Sequence, residues 1–148
     1  MTSPDTTPLL HFIDFLSGEF ELDKEQSAGA KKIRNILTDL EANADEDCSM
    51  SLDIYDTDIQ TQQSDRKGVY WREWSVFLEA GLLEVRARSN SEPDWLKVPG
   101  YAMEWSYDLQ SGKQQGNGDL TAWLEDARNY KDYITEHLNE VEVEFDVA

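Results

Sequence analysis

Aspartates recur at Asp53, Asp56 and Asp58, close behind Asp45, Glu46 and Asp47. If one strand carries them, Asp56 and Asp58 share a face, because strand side chains alternate with period two. Two such carboxylates could hold a magnesium or calcium ion, or work as an acid–base pair. The run lacks the glycine at position six and the glutamate at position twelve that a calcium loop requires. It reads instead as a solvated acidic face. His11 has only Asp14 within a helical turn, and His137 only Glu140. Both fall short of the three protein ligands usual for catalytic zinc, and both read as structural. Cys48 is the only cysteine, and the carboxylates just before it oppose the thiolate a nucleophile would need.

Other chemistry is equally thin. The segment GNGDL, residues 116–120, has two glycines before a helix but no lysine to hold a phosphate. No serine sits in a nucleophile-elbow pattern. No catalytic residue, metal or cofactor is therefore expected. Arg72, Arg86 and Arg88 fall on adjacent expected strands, where Glu73 and Glu84 offer cross-strand ion pairs in preference to an anion site. Five tryptophans, at 71, 74, 95, 105 and 123, read mainly as core. Trp95 is the exception: it stands in a proline-bearing connection and is the best interface anchor, because aromatics dominate hot spots.

The elements that would position these residues follow from periodicity. Thr7 and Pro8 start a helix that runs to Ser17, with Gly18 as its stop and Leu9, Phe12, Ile13 and Leu16 on its buried face. Asp23 and Gln26 form a capping-box pattern before a second helix, from about Lys24 to Ala44. Gly29 weakens that helix by about 1 kcal/mol relative to alanine. Period-two alternation then marks strands at 50–55, 69–78, 82–88 and 101–110, with Ala80-Gly81 turning a hairpin. In the second strand, Trp71 and Phe77 share one face and Trp74 the other. That makes it a candidate central strand covered on both sides. Residues 111–118 read as a loop. Asp119 caps a last helix with a stripe of Leu120, Trp123, Leu124, Ala127, Tyr130, Ile134 and Leu138. Val141, Val143, Phe145 and Val147 alternate with acids as a final strand or an extended arm.

Helices at the two ends of a run of strands imply an α+β fold: an antiparallel sheet of four to five strands with helices on one face. The 148 residues fit a single domain, with 1–7 frayed. The N-terminus lacks the basic region of a signal peptide, and no segment has the roughly 20 apolar residues of a spanning helix, so the expected compartment is the cytoplasm.

Charge is the strongest compositional signal. The formal net charge is −18. From Asn35 to Asp65 there are nine acidic residues and no basic one, which is half of that total. Arg66 to Glu104 holds six of each sign, and Asp132 onward holds six acids with no Lys or Arg. The negative charge thus forms two patches, Asp39–Asp58 and Glu136–Asp146, beside a neutral aromatic sheet. Acids at the end of the second helix also oppose its dipole, which points to an external reason for keeping them.

Such a surface argues against direct contact with nucleic acid or an anionic membrane and for a basic protein partner. In size, acidity and fold class the chain resembles immunity proteins and antitoxins that mask cationic toxins, and DNA mimics. The expected partner-binding residues are Asp39, Glu41, Asp45, Glu46, Asp47, Asp53, Asp56, Asp58, Trp95, Glu140, Glu142, Glu144 and Asp146. Two rival expectations stand beside this one. The aromatic sheet face could form a small-ligand or enzyme pocket beneath the helices. Or the protein could be acidic or salt-adapted with no special partner. Nothing in the sequence predicts an oligomeric state.

Overall fold

The computed structural model describes residues 4–56, 70–89, 102–137 and 140–147. Helix α1 spans Thr7–Glu19 and α2 Lys24–Thr38; strands β1 Cys48–Asp56, β2 Tyr70–Glu79, β3 Leu82–Ser89, β4 Met103–Asp108 and β5 Gln114–Gly116 follow; α3 spans Leu120–His137 and β6 Glu140–Val147. The six strands form one antiparallel sheet in the order β5-β4-β3-β2-β1-β6. The expected α+β class stands, with more strands than expected.

The tail is a strand, not an arm: β6 returns after α3 to pair antiparallel with β1, Leu52 opposite Val143. The segment 111–118 contains β5, whose three exposed residues pair with β4. Gln114, Gln115 and Gly116 carry no apolar alternation, so periodicity could not reveal them. The turn between β2 and β3 has Ala80 at φ 52° and Gly81 at φ 78°. Both values lie in the left-handed region that a two-residue type I′ hairpin turn requires.

Helix ends differ from expectation for local reasons. In α1 the cap position is Thr6, and its hydroxyl donates to the Leu37 carbonyl (2.9 Å), tying the two helices together. Helix α1 also passes Gly18 by one residue. Helix α2 ends at Thr38, six residues short of Ala44. There the Thr38 hydroxyl donates to the Arg34 carbonyl (2.6 Å), and the Asp39 carboxylate accepts from Ala42 N–H in the turn beyond. At the start of α2 the capping box is complete, with Asp23 and Gln26 exchanging hydrogen bonds of 2.7 and 2.9 Å.

All three helices pack on one face of the sheet. Met50, Leu52 and Ile54 of β1, Trp74, Val76 and Leu78 of β2, Leu83, Val85 and Ala87 of β3, and Trp105 of β4 point into that layer. They meet Leu9, Phe12 and Leu16 from α1, Ile33 and Leu37 from α2, and Trp123, Leu124 and Ala127 from α3. Phe12 and Trp123 lie with ring centroids 4.6 Å apart. Each large side chain withdrawn from water here contributes roughly 1.5–3 kcal/mol. Trp74 and Trp123 are fully buried, so these aromatics pack the interior.

Helix α2 lies against the edge strand. The Gln26 amide donates to the Val143 carbonyl (2.7 Å), and Gly29 faces Phe145 so closely that a Cβ there would stand 2.9 Å from the Phe145 Cβ. The glycine that looked like a weakness in the helix is what lets α2 approach β6. At the opposite edge β5 is only three residues long, and a short strand limits edge-to-edge pairing.

Candidate functional site

The sheet face away from the helices carries the charge. No described helix covers it. Register alone assembles its rows. Glu142 of β6, Asp53 of β1, Glu73 of β2 and Arg88 of β3 form one. Glu144, Ser51, Ser75 and Arg86 form the next, and Asp146, Ser49, Phe77 and Glu84 the third. Asp53 of the first acidic stretch is thereby brought beside Glu142, Glu144 and Asp146 of the second, because β6 pairs with β1.

Small residues floor this surface along β1, where Ser49 and Ser51 precede Asp53. Ser75 beside them is fully buried although it points away from the helices. The Ser51 hydroxyl donates to Asp53 (3.1 Å) and Ser75 to Glu73 (3.2 Å). The result is a shallow groove along β1, walled on one side by Glu142, Glu144 and Asp146 and on the other by Trp71, Glu73 and Phe77. A cavity of about 210 Å³ at one end is lined by Asp53, Trp71, Arg72 and Glu73. A cavity of about 240 Å³ at the other is lined by Asp47, Ser49, Phe77, Glu79 and Asp146, among others. A third, of about 220 Å³, sits across β3 to β5 between Glu84, Arg86, Glu104, Ser106 and Gln115.

Asp53 registers the local field. Burial first, then the Glu73 charge, pushes its carboxyl up from 3.8 to about 7, helped by a hydrogen bond with Glu73 and by the Glu144 charge; the bond from Ser51 pulls the other way. Between pH 4 and 7 the folded state therefore holds a proton that the unfolded chain releases. Stability contributed at Asp53 falls as pH rises across that window and stays low above it. Asp53 is partly exposed, so solvent screening reduces the effect well below the full shift. Asp53→Asn should gain about 1 kcal/mol at pH 8 and nothing at pH 4, measured by urea unfolding. An equal gain at both pH values would rule out carboxylate repulsion as the cause.

The expected site residues divide by position. Asp53, Glu142, Glu144 and Asp146 share the outer sheet face. Asp47 borders the second cavity and accepts from Ala80 N–H (3.1 Å) at the hairpin turn. Asp39, Glu41, Asp45 and Glu46 lie in the turns between α2 and β1, beyond the helix end. Asp39 is thus the only one of these acids at the α2 C-terminus, and it uses its carboxylate locally. Asp56 ends β1 opposite Tyr70, and Glu140 pairs with Tyr55 at the start of β6. Asp58 and Trp95 lie outside the described residues. Glu73 belongs to this surface and was not anticipated. Its signal was present: it has the parity of Trp71 and Phe77, opposite to Trp74.

The arginines behave differently from one another. Arg88 pairs across strands with Glu104 (3.0 Å), and Arg86 pairs with Glu84 on its own strand while its guanidinium lies 5.2 Å from the Phe77 ring centroid. Arg72 points into the helix layer and is fully buried. Its guanidinium meets both Asp126 oxygens of α3 (2.6 and 2.7 Å) and donates to the Tyr130 hydroxyl (2.8 Å). The Trp74 indole also donates to Asp126 (2.8 Å). Burial holds the Asp126 carboxyl above its ordinary range, although Arg72 and Trp74 draw it down. This cluster fastens α3 to the sheet, and Arg72 also borders the cavity beside Asp53 and Glu73.

The remaining reactive groups stay quiet. The Cys48 thiol is buried and pushed up to about 11 by that burial and by Asp47 and Glu46. His11 is exposed on α1. Among the described residues no group of three or more His, Cys, Asp or Glu is arranged to hold a metal ion. No described helix is long and apolar enough to cross a membrane. Comparison with known proteins finds no family model that matches this chain, no similar curated protein and no similar solved structure.

Proposed function

We propose that this protein is a binding module whose acidic sheet face engages a basic protein partner, in the manner of an immunity protein or antitoxin that neutralises a cationic toxin, or of a DNA mimic. One observation carries the reading. Pairing of β1 with β6 on one side and β2 on the other sets Asp53, Glu73, Glu142, Glu144 and Asp146 on a single face. Charges of one sign crowded together cost stability, and a cationic partner would relieve that cost. Opposed charge also steers encounter, so association should be fast and salt-sensitive.

The rival pocket reading placed a ligand between helices and sheet. The aromatics on that face, Trp74 and Trp105, are instead buried against the helix layer. The salt-adapted reading calls for evenly spread charge, whereas Asp53, Glu73, Glu142, Glu144 and Asp146 stand together on one face.

The test is capture of basic proteins on the immobilised protein at about 0.05 M and about 0.5 M salt, beside a Glu142→Gln/Glu144→Gln/Asp146→Asn variant. These three residues are exposed or half-exposed, so the variant keeps the core. The partner captured at low salt should be lost at high salt, and its association rate with the variant should fall about tenfold. A rate unchanged by salt and by the variant would sink the reading.

A further inference from the structure

Resting on that reading, we propose that the partner docks an extended segment along the β1 groove, with two cationic side chains four residues apart, one in each end cavity. The two cavities lie along the same pair of strands. Asp53 and Glu73 border one, Ser49 and Phe77 the other, and both pairs are four residues apart along their strands. At about 3.3 Å per residue that separation is about 13 Å. An extended segment repeats the same rise, so its residues i and i+4 match both cavities and point to the same side. Two adjacent cations cannot span the distance. A helix would need a spacing of about eight or nine residues, at 1.5 Å per residue.

The linings suit arginine or lysine. Each cavity sets carboxylates beside an aromatic ring: Asp53 and Glu73 with Trp71, where the bordering Arg72 is already neutralised by Asp126, and Asp47, Glu79 and Asp146 with Phe77. Rings attract cations through their faces, and arginine does so most often. This surface already holds one guanidinium in that way, Arg86 against Phe77. Between the cavities Ser49 and Ser51 keep the floor low enough for a backbone to pass, and Glu142 and Glu144 line its outer side.

The experiment uses two five-residue peptides of equal charge and composition, capped at both ends: Arg-Ser-Ser-Ser-Arg and Ser-Arg-Arg-Ser-Ser. Each is titrated into the 148-residue chain at low salt while backbone amide NMR shifts are followed. The spaced peptide should bind at least fivefold more tightly, with shifts concentrated in β1, β2 and β6. Phe77→Ala should bring the two peptides to equal affinity; because Phe77 is half-exposed on the outer face, the variant should keep the amide spectrum of the folded protein. Equal affinities for the unaltered protein, with shifts still on this face, would overturn the spacing and leave the acidic-face reading standing. No binding, or shifts elsewhere on the molecule, would overturn both.

Discussion

Asp126→Ala is expected to destabilise the protein by about 3–5 kcal/mol, the cost of removing one partner from a buried ion pair. The alanine leaves the Arg72 guanidinium in the interior without its carboxylate, and the Trp74 indole without its acceptor. The pair itself need not be a net source of stability. Burial pushes the Asp126 carboxyl up, and Arg72 and Trp74 only partly offset that push. A double replacement, Arg72→Met with Asp126→Leu, should therefore recover most of the loss. Urea unfolding of both variants measures this. A single variant that costs under about 1 kcal/mol would show that α3 does not depend on the cluster, and a double variant no better than the single would show that the pair is net stabilising.

Gly29→Ala should destabilise by about 1–3 kcal/mol, where the same change on an open helix face gains up to about 1. The added Cβ would stand 2.9 Å from the Phe145 Cβ and 3.1 Å from the Phe145 carbonyl oxygen. Neither atom can swing aside, because both belong to the backbone or its first side-chain carbon in a strand paired to β1. The helix must lift away, which also strains the bond from Gln26 to Val143. For a chain of this length each kcal/mol lowers the melting temperature by about 2–4 °C, so calorimetry reads the effect directly. A rise in melting temperature would mean that α2 does not rest on β6.

The groove has a consequence for any partner that binds through Asp53. A cation placed beside Asp53 favours its ionised form, so docking should release a proton from it near neutral pH. This follows from the same crowding that makes the face costly when free.

Local patterning was enough for most elements. The capping box of Asp23 and Gln26, the alternation through Met50–Ile54 and Met103–Tyr107, and the Leu120–Tyr130 stripe each act over a few residues, and local rules describe them well. The place of Cys48 was legible too, since its acidic neighbours are its chain neighbours. Pairing was not. Asp53 meets Glu73 and Glu142 only through strand register, which depends on partners far apart in the chain. For the same reason Gly29 read as a defect until β6 was placed beside α2, and Arg72 read as a member of cross-strand ion pairs until Asp126 was placed above it. Arg72 shares the parity of Trp74, and Asp126 stands between Trp123 and Tyr130 on the helix, so each half of the cluster was visible separately. By itself the sequence determined an acidic α+β domain and the amount of its charge. Only the tertiary structure decided that Asp53, Glu73 and the acids of β6 share one face, because that required the last strand to lie beside the first.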